Sequence, residues 1–167
     1  MTVQLDHILV PSRDMNASAK LLAEILGVRW EPSGEGSPMA SASTAFVSGN
    51  MSEAAWQEYR AQRASVYIND SLTLDFINFG SQAAASIGMV AKHDQPVPIN
   101  HYCFRVSDAD FDAIVERIKK AGVKFSSNGL EPDDKINTRL GGKGVYFMEP
   151  DGHGWEILTV SYARPRK

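Results

Sequence analysis

GVYFMEPDGHGWEILTV, residues 144–160, is the stretch on which the fold turns. It reads as two strands around a tight turn. Pro150-Asp151-Gly152 supplies the turn, since Pro fixes φ and Gly accepts φ > 0. The strand that follows, from Trp155 to Val160, alternates except at one point: Glu156 shares a face with Leu158 and Val160. A carboxylate on a buried face needs a partner, usually a cation or a metal.

Working outward, the second half of the chain repeats the first. Each half opens on a short apolar strand carrying a histidine, His7 in the strand Leu5 to Val10 and His101 in the strand His101 to Val106. A capped helix follows in each. Ser12 or Asp14 is the cap before Leu21, Leu22, Ile25 and Leu26; Ser107 or Asp108 is the cap before Phe111, Ile114, Val115 and Ile118. Each helix closes on a glycine, Gly27 lying 20 residues after His7 and Gly122 lying 21 after His101. LGVRW (26–30) mirrors AGVKF (121–125). Each half ends on a hairpin whose last strand carries a carboxylate, Asp75 five residues after Asp70 and Glu156 five after Asp151. The expected fold class is α+β: two βαβββ modules forming a cupped mixed sheet around a cleft. The first module covers residues 1–80, with an insertion at about 31–64. A linker follows at 81–98, and the second module at 99–162. Within the insertion a short strand is expected at Ala45 to Val47 and a helix at Ser52 to Arg63. Strands are also expected at Val66–Ile68, Leu72–Phe79 and Val123–Ser126, with a polar loop over 127–142.

Two-fold pseudo-symmetry brings equivalent strands together, so His7 would face His101 and Asp75 would face Glu156. Two imidazoles and two carboxylates suit one divalent first-row ion (Fe, Mn, Ni, Co or Zn), and two carboxylates balance its charge. Four protein ligands leave room for a substrate with two neighbouring oxygens, toward which the ion acts as a Lewis acid. A lone strand histidine is more often structural, and Asp75 or Glu156 could pair with Arg or Lys instead. The matching positions in both halves argue for the joint site. Strand parity adds Cys103 and Arg105 to the face of His101, and expects Leu5, Leu9, Thr73, Ile77 and Leu158 to line the same cleft. Arg105 is the candidate for holding an anionic substrate group. Glu156 and Asp75 are the candidate catalytic carboxylates. His153 reads as a turn residue.

Composition narrows the partners. The chain has 167 residues, 43% hydrophobic and 22% charged, with a net charge of −3, which suits a packed core and disfavours nucleic acid. No apolar run is long enough to span a bilayer. Cys103 is the only cysteine, excluding an internal disulfide. With no signal-peptide pattern at the start, a cytoplasmic protein is expected.

DHILV (6–10), LTLDF (72–76), NHYCFRV (100–106) and above all GVYFMEPDGHGWEIL (144–158) resemble the vicinal oxygen chelate superfamily. That superfamily includes glyoxalase I, bleomycin-resistance proteins, fosfomycin-resistance thiol transferases and extradiol dioxygenases. The resemblance spans nearly the whole chain. It implies paired βαβββ modules around a metal, with ligands at His7, His101 and Glu156. Asp75 stands where glyoxalase I often has Glu, one methylene shorter. The implied activity is metal-dependent lyase, isomerase or transferase chemistry on a small oxygenated molecule, in a homodimer. An antibiotic-sequestering protein without catalysis, a ring-cleaving dioxygenase and a structural or regulatory dimer with a vestigial site are the competing readings.

Overall fold

A computed structural model describes residues 4–33, 63–78, 100–138 and 141–161. The chain divides into two compact units, 1–23 with 28–98 and 24–27 with 99–167. The first contains β1 (His7–Ser12), helix α1 (Met15–Leu26, its last turn grouping with the second unit), β2 (Trp30–Glu31), β3 (Arg63–Asn69) and β4 (Leu72–Asn78). The second contains β5 (His101–Arg105), α2 (Asp108–Lys120), β6 (Phe125–Ser126), β7 (Gly144–Met148) and β8 (Gly154–Leu158).

Each unit builds the same four-stranded mixed sheet. The orders are β1-β4-β3-β2 and β5-β8-β7-β6. In both, the first strand runs parallel to the last, and the other pairs are antiparallel. The α+β class and the βαβββ module expected from the repeat are therefore what the chain adopts.

Both helices start and stop by the same devices. Asp14 Oδ1 accepts from Ala17 N at 3.0 Å, and Ser107 Oγ accepts from Asp110 N at 3.2 Å. At the other ends Val28 N donates to Ala23 O and Val123 N to Ile118 O, around Gly27 at φ 73° and Gly122 at φ 69°. This is the left-handed glycine stop that satisfies carbonyls the helix leaves open.

The core follows strand parity. In the second unit Val145, Phe147, Trp155 and Ile157 are buried on one face of β7 and β8, while α2 buries Phe111, Ile114, Val115 and Ile118. Tyr102 stacks on Trp155 at 4.7 Å between ring centroids. In the first unit Val10, Leu22, Ala64, Val66, Leu74 and Phe76 are fully buried.

Several boundaries differ from expectation. β1 runs through Pro11 to Ser12 rather than stopping at Val10. Proline is tolerated there because β1 is an edge strand and need not donate on its free side. Arg63 opens β3 and does not end a helix. The rest of the expected helix at Ser52 to Arg63, the strand at Ala45 to Val47 and the linker at 81–98 lie outside the described residues. No helix among the described residues is long and apolar enough to cross a membrane.

Candidate metal centre and cavity

In the second unit β5 and β8 lie side by side, parallel, with His101 opposite Gly154 and Cys103 opposite Glu156. His101 and Glu156 therefore share a face two positions apart, and their side chains meet: Nε2 to Oε2 is 3.2 Å. Gly154 permits this. A Cβ there would lie 3.3 Å from His101 Nδ1, closer than such atoms usually come. Glu156 is only 4% exposed, and its other oxygen, Oε1, is buried with no hydrogen-bond partner among the described residues. A buried carboxylate with one bare oxygen is an expensive arrangement unless a cation completes it.

Cys103 stands beside this carboxylate. The residue is exposed as a whole. Desolvation at the sulfur, followed by the hydrogen bond and the charge of Glu156, pushes its thiol up to about 12. Arg105 is exposed on the same face, and Leu158 is buried.

The first unit places His7 opposite Thr73 and Leu9 opposite Asp75 in the same parallel register. Its side chains behave differently. His7 Nδ1 turns to Asp6 Oδ2 at 2.9 Å. Asp75 receives Arg63 Nη1 on Oδ2 at 3.0 Å and the Ser65 hydroxyl on Oδ1 at 2.7 Å. Both oxygens of Asp75 are thus occupied and its charge is neutralised from within the unit. This is the Arg pairing that competes with a ligand role. Ile77 is buried, Leu9 and Thr73 are half-buried, and Leu5 is exposed. Within each unit, among the described residues, no three His, Cys, Asp or Glu side chains converge.

The donor set of the second unit fits a divalent ion. It offers one imidazole nitrogen and one carboxylate with a free, buried oxygen, both held on adjacent strands. The backbone before His101 is also fixed. Asn100 N donates to Nδ1 of the fully buried His153 at 3.0 Å, and Gly154 N donates to Asn100 O at 2.9 Å. His153 N and Asp151 N in turn donate to the two oxygens of buried Glu149. The closing turn thereby anchors the strand that carries His101, a wider part than the turn role its position suggested.

A cavity of about 410 Å³ opens beside His101. Tyr146, directly across the hairpin from Glu156, forms one wall, its ring 6.0 Å from that of His101. The loop after β6 forms another through Asn128, Leu130 and Pro132. The expected cleft residues Cys103, Arg105 and Leu158 do not line this cavity. Tyr146 was within reach of strand parity, being the residue that faces Glu156 across a turn of known length. The loop wall had no such signal.

A family model described as the Glyoxalase/Bleomycin resistance protein/Dioxygenase superfamily matches residues 4–157. Among solved structures, one titled "Oxidase ChaP-H2" is 30% identical, covers 98% of each chain and superposes with a TM-score of 0.67. Among curated proteins, fosfomycin resistance protein FosX of Mesorhizobium japonicum (strain LMG 29417 / CECT 9101 / MAFF 303099) is 33% identical over 72 residues, 41% of this chain and 48% of that protein. Metallothiol transferase FosB of Shouchella clausii (strain KSM-K16) is 32% identical over 63 residues, 38% of this chain and 40% of that protein. The chain spans less than half the length of these two curated relatives.

Proposed function

The chain belongs to the Glyoxalase/Bleomycin resistance protein/Dioxygenase superfamily, and from that premise we propose that it is a metal-dependent enzyme acting on a small oxygenated molecule. His101 and Glu156 are the proposed ligands of the second unit, and His7 the proposed ligand of the first. Asp75 is left out of the set, because Arg63 and Ser65 already use both its oxygens. The observation that carries the reading is the buried Glu156 carboxylate, paired with His101 on one oxygen and bare on the other. The name of the metallothiol transferase relative supports a metal.

When bound, a divalent ion supplies a Lewis acid for a substrate oxygen, or for two neighbouring ones. The chain's own residues do the rest. The β5–β8 register holds the imidazole and the carboxylate on one face, the absent Cβ at Gly154 leaves the ring its place, and the His153 anchor keeps the strand from shifting. Tyr146 and the loop wall give the substrate an apolar bed beside the ligands.

Among reaction types, similarity to a protein titled an oxidase over 98% of the chain favours oxidative chemistry over thiol transfer. The thiol-transferase likeness extends over only 38% of the chain. The test is elemental analysis of protein purified without chelator, beside His101→Ala and Glu156→Gln. About one divalent ion per chain is expected in the wild type, with most of it lost in both variants. Full metal content in both variants, or none in the wild type, refutes the reading.

A further inference from the structure

The cavity beside His101 has a chemistry of its own. A water occupies about 30 Å³ of liquid, so 410 Å³ has room for on the order of a dozen water-sized groups. That is several times what a three-carbon compound fills and lies within the range that encloses much of a drug-sized molecule. Leu130 is 78% and Met148 54% exposed, yet both line it. Large apolar side chains around a concavity, with Phe125 and the Tyr146 ring beside them, mark a place where apolar surface is to be covered.

The wall is already built. Ser127 donates to Asp133 through both its backbone N–H and its hydroxyl, Lys135 N donates to the same carboxylate, and Gly129 N donates to Ser126 Oγ. Gly129, at φ 74°, brings its backbone so close to Tyr146 that a Cβ would lie 3.2 Å from the ring. A preformed wall spares a ligand the cost of ordering the loop. Away from the proposed metal ligands an anion finds little to hold it. Among the described lining residues the lysine or arginine is Lys124 alone, and its ammonium sits 3.2 Å from Asp134. Phosphonate recognition calls for charged or forked donors aimed at the oxygens.

The geometry points to a largely apolar, ring-bearing molecule of at least two fused rings as the occupant, packed among Tyr146, Leu130 and Met148, with an oxygen-bearing edge toward His101. This deepens the proposed function and rests on it only for His101 as the reactive end. The three-carbon phosphonate suggested by the name of the FosX relative would leave most of the cavity unfilled.

The test is calorimetric titration of the full chain in chelator with three probes: 2-naphthol, phenol and fosfomycin. Wild type, Leu130→Glu and Met148→Glu are compared, and thermal unfolding checks that each is folded. 2-Naphthol is expected to bind about tenfold more tightly than phenol, for the apolar area of its second ring, and fosfomycin to give no binding heat. Either glutamate, placed in the apolar wall, is expected to weaken 2-naphthol about tenfold with the melting temperature unchanged. Equal affinity for phenol and 2-naphthol, preference for fosfomycin, or 2-naphthol binding that neither variant alters overturns the proposal. No metal is present in these titrations. The metal content of His101→Ala and Glu156→Gln is a separate measurement, so the cavity reading and the metal reading can fail independently.

Discussion

Replacing Arg63 by Met removes the cation from Asp75 and keeps most of the packing of the stem. Both side chains are only 12% exposed, and they meet at 3.0 Å. At that distance and an effective dielectric constant of about 20, the lost attraction is roughly 5–6 kcal/mol. The Ser65 hydroxyl still donates to Asp75 at 2.7 Å and softens the loss. Breaking a buried pair from one side costs about 3–5 kcal/mol, and the lower half of that range is expected for Arg63→Met in urea unfolding at neutral pH. The double replacement Arg63→Met with Asp75→Leu removes the stranded charge as well. It is expected to return to within about 1–2 kcal/mol of the wild type, since an apolar pair often replaces a buried ion pair at little cost. Elemental analysis of the double variant reads the second half of the argument: metal content stays at the wild-type level, because Asp75 serves Arg63 and not an ion. A cost for Arg63→Met below about 1 kcal/mol would contradict the structural role. Loss of the metal from the double variant, with Glu156 in place, would return Asp75 to the ligand set.

Gly154→Val sets a branched side chain against His101 Nδ1, where even a Cβ comes to 3.3 Å. The ring must rotate away from Glu156, so metal content is expected to fall as far as in His101→Ala, while far-ultraviolet dichroism of the fold is retained. Asp133 is held below the usual carboxylate range, first by the Ser127 hydroxyl and then by the backbone N–H groups of Ser127 and Lys135. A depressed carboxylate contributes stability that is complete above its unfolded value and lost only as pH falls through its folded one. Slow amide exchange at Ser127 is therefore expected to persist below the ordinary Asp range and to vanish only in stronger acid. Asp133→Asn should make it fast at every pH.

The module was legible because its signals recur. Two histidine-bearing strands, two glycine-stopped helices and two carboxylate-bearing last strands stand at matching spacings, and each element formed. Glu156 was legible as the one polar break in an apolar face. Arg63 was misread. Its neighbours in QRAS favour a helix by composition, although alternation starts there: Arg63, Ser65 and Tyr67 on one face, Ala64, Val66 and Ile68 on the other. Starting the strand at Arg63 instead of Val66 would have put a cation opposite Ile77, within reach of Asp75. The loop wall over the cavity was not legible at all. Its shape depends on Asp133 gathering donors from Ser127 and Lys135 and on Gly129 meeting Tyr146 across 17 positions of chain, and neither periodicity nor composition carries such pairings.

The two carboxylates that the repeat set in equivalent places have acquired different counter-charges. That of Asp75 is covalently part of the chain, so it is present whatever the metal content of the buffer. That of Glu156, under the proposed assignment, is borrowed from solution. A ligand that binds the native state alone stabilises it in proportion to the logarithm of its free concentration, about 1.4 kcal/mol for each tenfold excess over its dissociation constant. One carboxylate thus contributes whatever the metal supply, and the other contributes in step with the chemical potential of an ion. A chelator would therefore lower the melting temperature of the wild type while leaving that of Glu156→Gln where it stands, and the Arg63–Asp75 pair would hold in both.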